Sequence, residues 1–151
     1  MYAVIKPVFD TKMPKLCKHP YPNHPKGCPN WGKKKGCPPN APWLPNSFDY
    51  RYPVYAIWNV YPFGEHVEKM RAKHPEWTQR QVECCLYWQG TARKQLKEIV
   101  KNFLKGHPGL KIVDCPEAQG INLTETMKQV YVQLEWPPKH KTYQIVLAGT
   151  A

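Results

Sequence analysis

The sequence predicts an α/β or α+β fold. We expect a single compact domain over residues 1–151, with one mostly covered sheet of about 4–5 strands and about 2–3 helices, preceded by a long Cys/Pro-rich loop. Three observations predict it. Residues 52–63, YPVYAIWNVYPF, alternate two sets of side chains that are both largely apolar. A stripe of apolar residues at helical spacing runs from Val82 to Leu104. Upstream of both, residues 10–48 are rich in Pro, Gly and Lys, hold three cysteines, and contain no apolar run that could pack a core.

In chain order, YAVIKPVF at 2–9 has the β-branched and aromatic content of a strand, and Pro7 puts it near an edge or a strand end. The 10–48 loop follows, and in its tail Trp43, Leu44 and Phe48 are the expected anchors onto the domain surface. The 52–63 strand carries Val54, Ala56, Trp58 and Val60 on one side and Tyr55, Ile57, Asn59 and Tyr61 on the other, so it should be central with both faces covered. A short helix is expected over 64–73. Thr78 and Gln81 form a capping-box pattern opening one long helix that Gly106 stops, with Cys85 on its buried stripe and Cys84 one step round, beside Trp88 and Thr91. LKIVD at 110–114 reads as a short buried strand that delivers Cys115-Pro116 to its end, where open α/β sheets often carry functional groups. Asn122 and Glu125 cap a helix over about 123–130, and YVQLEW, PPKHK and TYQIVLAG read as a C-terminal hairpin. The core is therefore assigned to 49–151 and the loop to 10–48.

Charge is unevenly placed. The formal net charge is +11, and residues 1–40 hold eight lysines against Asp10 alone. Such a field attracts phosphate groups or acidic partners, although a solvated lysine-rich loop accounts for it equally well. MYAVIKPVFD is too short to cross a membrane and lacks the order of a secretion signal, so no membrane association and a cytoplasmic location are expected. In that compartment the six cysteines should be thiols rather than disulfides.

The loop reads as metal-binding. Ordering a long Pro/Gly-rich segment costs entropy that few apolar contacts return, and thiolate coordination is a physical remedy. The cysteines lie in Cys17-KHPYPNHPKG-Cys28-PNWGKKKG-Cys37-PP, without the close Cys-x2-Cys pair usual for tetrahedral zinc. Cys28, Cys37 and Cys115 are each followed by proline, as is often the last cysteine of an iron–sulfur ligand run. Proline there also keeps the cysteine extended and off a helix.

The run Cys28-PNWGKKKG-Cys37-PP resembles the Cys…(Tyr/Trp)-Gly…Cys-Pro-Pro signature of an uncharacterised family of predicted metal-binding proteins with small cysteine-rich α/β domains. A second stretch, Cys115-PEAQGIN-Leu123, is similar to that family's downstream Cys…Glu-Ala…Gly-Ile segment. The resemblance implies an iron–sulfur centre on the first cysteines. The family's further cysteine group before the Glu-Ala segment is missing, because HPGLKIVD carries none. No reaction is implied.

Two functions of different class follow. The first is a four-iron, four-sulfur (4Fe-4S) cluster held by Cys17, Cys28 and Cys37, its fourth position filled by Cys84, Cys85 or Cys115 or left open to substrate. Redox or Lewis-acid chemistry would follow, on an anionic or nucleotide-like substrate if the protein is an enzyme. The second is a zinc-stabilised basic module in which Cys17, Cys28, Cys37 and either His19 or His24 hold the ion. There Trp31 would stack on a base and Lys33, Lys34 and Lys35 would follow nucleic-acid phosphates, although Trp31 covering the metal from solvent is the favoured reading of that residue. His66, His74, His107 and His140 sit in isolated polar or turn contexts and receive no catalytic role. Walker-type, Gly-x-Gly-x-x-Gly and Gly-x-Ser-x-Gly motifs are absent, as is the Cys-x3-Cys-x2-Cys run of radical enzymes, which sets aside the ordinary nucleotide-binding and hydrolase readings.

Overall fold

Strands β1 (Tyr2–Ile5), β2 (Val54–Tyr61), β3 (Lys111–Val113) and β4 (Thr142–Gly149) form one antiparallel sheet in the order β1-β2-β4-β3. The computed structural model describes residues 1–18, 26–27, 31–33, 37–39 and 44–151, with the backbone alone for Cys17, Lys18 and Asn46. The helices are α1 (Phe63–Lys73), the single turn α2 (Gln79–Val82), α3 (Gln89–Gly106) and the short α4 (Leu123–Lys128). The architecture is α+β. Among the described residues no helix is long and apolar enough to cross a membrane.

The alternation in β2 sorts the two faces as the sequence predicts. Ile57, with Val146 and Ala148 of β4, packs under Phe103, Leu96, Ile99 and Val100 of α3. The opposite set, Val54, Ala56 and Trp58, joins Ile145 and Leu147 in a larger cluster covered by Leu44, Phe48, Ile121, Leu123 and Met127. Both faces are therefore dry, and each large aliphatic side chain so buried contributes about 1.5–3 kcal/mol. β1 is an edge strand that ends before Pro7, which cannot donate to a ladder. Leu44 and Phe48 are the anchors expected of the loop tail, and Trp43 lies outside the described residues.

That anchoring constrains Gly149. A β-carbon there would lie 2.9 Å from Cδ1 and Cγ of Phe48. Gly149→Ala is expected to displace the ring and lower stability by about 1–3 kcal/mol, read from the midpoint of urea unfolding.

Two expectations are corrected. The helix predicted from Thr78 to Gly106 is interrupted. Its capping box forms, with Thr78 and Gln81 bonded reciprocally, but the chain leaves α2 at Glu83, makes a 3-10 turn at Cys85–Tyr87, and restarts at Gln89. The cause is Trp88. Its ring packs edge-on to Phe63 and stacks on Tyr61, and its indole N–H donates to the Glu83 carbonyl oxygen at 3.2 Å, a placement that the extended ψ of 127° at Cys84 allows. Cys85, expected on the buried stripe, is consequently exposed, and Leu86 beside it is 84% exposed.

The C-terminal hairpin is also not formed. β4 is a strand, but 131–136 is irregular. β2 occupies one side of β4, and the 131–136 arm leans on α4 instead of the other side: Val132 and Leu134 pack into the larger core, and the Trp136 indole donates to Thr124 Oγ1 at 3.2 Å. Because β3 pairs only with Leu147–Gly149, the β3 side of β4 over 142–146 borders a cleft.

Candidate metal centre

The corner of the molecule beyond the end of β3 is built by backbone hydrogen bonds between segments far apart in sequence. The Asp10 amide donates to the Gly120 carbonyl oxygen at 2.7 Å, the Asn122 amide donates to Val8 at 2.8 Å, and Phe9 and Ile121 form an isolated antiparallel bridge. The chain leaving β1 is thereby strapped to the segment after Cys115. Its next turn, the 3-10 helix Pro14–Lys18 that contains Cys17, packs against the 3-10 helix Pro116–Gln119.

Two Cys-Pro steps frame this corner. Pro38 and Pro116 are both fully buried, so Cys37 and Cys115 each precede a locked, inserted ring. Gly32, at φ +70°, donates its amide to the Pro38 carbonyl oxygen at 2.7 Å, which ties 31–33 to 37–39. Positive φ favours glycine at that position. Ser47 Oγ donates to Gln119 Oε1 at 3.1 Å, tying the end of the loop to the same 3-10 helix.

The two thiols are electrostatic neighbours. Cys115 is pushed above the ordinary thiol value, first by loss of solvation and then by the negative charge of Cys37, Asp114 and Glu117, with Arg93 opposing. Burial likewise raises Glu117. Crowding of thiols with no cation between them disfavours the thiolate, whereas a metal ion reverses that sign and makes the crowding useful. The free thiols among the described residues are Cys37, Cys84, Cys85 and Cys115.

Of the residues singled out from the sequence, Cys37 lies near enough to Cys115 for its charge to act on that thiol, and the turn whose backbone includes Cys17 packs against the turn that follows Cys115. The Cys17 side chain, Cys28, Lys34, Lys35, His19 and His24 lie outside what is described. Among the described residues no three metal-ligating side chains gather. Cys84 is half-buried in the turn before Trp88 and Cys85 is exposed; neither is among the charges acting on Cys115. Trp31 is half-buried and Lys33 exposed. His107 stacks on Phe103 with centroids 4.2 Å apart, and His74 stacks on Trp77 at 3.8 Å.

Local sequence gave no motif for a cleft of about 650 Å³ that opens beside Cys115 between the start of α3, β4 and the 134–141 turn. Arg93, Glu117, Trp136, Lys141 and Gln144 line it. The one available signal was Gln144, a polar residue on the α3 side of an otherwise apolar strand.

The wall of this cleft is fixed by Glu135. One oxygen of its carboxylate accepts from the backbone amides of Lys139, His140 and Lys141 at 2.9, 2.7 and 3.2 Å, and these bonds lower its pKa to about 2. A carboxyl depressed in the folded state from 4.5 stabilises fully above 4.5, and that contribution is lost as pH falls through about 2. Carboxyl-carbon NMR should therefore show Glu135 ionised well below the other glutamates, and Glu135→Gln should disorder the 136–141 turn.

The fold and site define an α+β domain with a two-faced antiparallel sheet and a paired-thiol corner. Comparison with protein-family models, with curated proteins and with solved structures finds no match for this chain.

Proposed function

We propose that the chain is an iron–sulfur protein whose 4Fe-4S cluster is held by Cys17, Cys28, Cys37 and Cys115. The observation that carries this reading is that Cys37 lies near enough to Cys115 for its charge to act on that thiol, on two Cys-Pro steps about half the chain apart, where the helical turn bearing Cys17 packs against the turn that follows Cys115. It favours Cys115 over Cys84 and Cys85 as the fourth ligand. The donor set fits the group: thiolates are the ligands of such clusters, and two of them are each followed by a buried proline.

A cluster with four thiolate ligands supplies one-electron transfer. The protein's own residues would set the conditions for it. Pro38 and Pro116 fix the ligand backbones, Arg93 offsets negative charge at Cys115, and the lysines of residues 1–40 favour an acidic redox partner. A reducing cytoplasm suits thiols kept available for metal.

Protein purified without oxygen is expected to be brown and to carry about four iron and about four acid-labile sulfide per chain. Colourless protein with tightly bound zinc and no iron uptake on reconstitution would overturn the proposal in favour of the zinc-stabilised module.

A further inference from the structure

The cleft beside Cys115 carries an inference that deepens this reading and rests on it for the neighbouring metal. Its volume, about 650 Å³, lies within the range of small-molecule sites. Arg93 and Lys97, one turn apart on α3, and Lys141 on the facing turn all line it; Asp114, Glu117 and Glu135 share the lining, but among the described residues none of the three cations is within ion-pair distance of a carboxylate. Of those carboxylates Glu135 is taken up by three backbone amides and burial raises Glu117, so the cations outnumber the free carboxylates and favour an anion. Arg93 is also near enough to act on the Cys115 thiol, which puts that anion next to the proposed centre.

Two further groups define what the anion is attached to. Trp136 is 70% exposed at the cleft, yet its indole N–H is tied to Thr124 Oγ1, so a flat apolar face is held in water without freedom to turn inward. Gln144 donates its side-chain amide to Thr142 Oγ1 at 3.1 Å, while its Oε1 is buried without a donor among the described residues. An unpaired buried acceptor is costly, and a small turn of the amide toward a ligand N–H would relieve it.

We propose that this cleft binds a ring-bearing organic anion of mononucleotide size. Its anionic group rests on Arg93, Lys97 and Lys141, its ring stacks on Trp136, and an N–H at the ring edge donates to Gln144. Aromatic stacking and charge-assisted hydrogen bonds act together in such a site.

Adenosine monophosphate, which has all three features, is the probe. It is titrated into the full chain purified without oxygen, with Trp fluorescence and calorimetry as readouts. Saturable binding is expected, weakened about tenfold or more by Arg93→Ala and also by Trp136→Ala, with adenosine alone and inorganic phosphate alone binding more weakly. Iron content is measured on each variant. The same titration on Cys37→Ala separates the two proposals: adenosine monophosphate bound by iron-free protein supports the cleft whatever becomes of the cluster. Absence of saturable binding to iron-loaded wild type, or unchanged affinity in Arg93→Ala, overturns the cleft and leaves the cluster standing. Equal affinity for phosphate and for adenosine monophosphate overturns the ring-bearing class.

Discussion

Cys115→Ala is expected to lower iron retained after anaerobic reconstitution by about tenfold or more, and Cys37→Ala to do the same, whereas Cys85→Ala retains wild-type iron. The reasoning is geometric. Cys37 is near enough to act on Cys115 and each is followed by a buried proline, while Cys85 lies on the turn before Trp88 and is not among the charges acting on Cys115. Cys115 itself keeps solvent access, so its truncation leaves no core cavity and should not unfold the sheet. Far-UV circular dichroism together with iron content makes the distinction. Equal iron in Cys115→Ala and wild type would remove Cys115 from the ligand set.

Leu44→Ala is expected to cost about 2–5 kcal/mol of stability, read by urea unfolding. Leu44 has no exposed surface and belongs to the larger core cluster, although it comes from a Pro-rich segment outside the sheet. Its carbonyl oxygen accepts from the Tyr50 hydroxyl at 2.7 Å and from the Ser47 amide at 2.8 Å, so the residue is held by its backbone as well as its side chain. It fixes the C-terminal end of the cysteine loop. Iron retention should therefore fall in Leu44→Ala even though the residue touches no metal, and excess iron should partly restore the unfolding midpoint because binding to the native state alone stabilises it. A change below about 0.5 kcal/mol would show that the loop tail is not part of the core.

The two largest departures from sequence expectation share a cause. Periodicity put Cys85 and Leu86 on a buried helical stripe, but a single tryptophan gained more by turning back onto Phe63 and Tyr61 than an unbroken helix returned. Alternation in YVQLEW suggested a strand, but those apolar residues found the larger core and α4 rather than a ladder partner. In both cases the pattern identified which residues were apolar and left open which surface would receive them.

The cysteine-bearing segments were legible because their residue chemistry is unusual and local: proline after cysteine, lysine excess, and few aliphatic residues. What their linear spacing did not contain was a choice among Cys84, Cys85 and Cys115, since all three are far from Cys37 in sequence and none stands at a ligand spacing from it. Strapping of 8–10 onto 120–122 brings the first and last thirds of the chain to one corner, and the proposal of Cys115 rests on it. The cleft was legible only in fragments, as a polar Gln144 in an apolar strand.

Sequence alone determined the central two-faced strand and the caps at Thr78 and Asn122, and it narrowed β1 to an edge or a strand end, because each depends on neighbours within a few residues. Tertiary structure alone decided which thiol lies near Cys37 and which cations share a cleft. Those outcomes depend on closing loops of many residues, and their winners are set by the packing of whole surfaces rather than by any local preference.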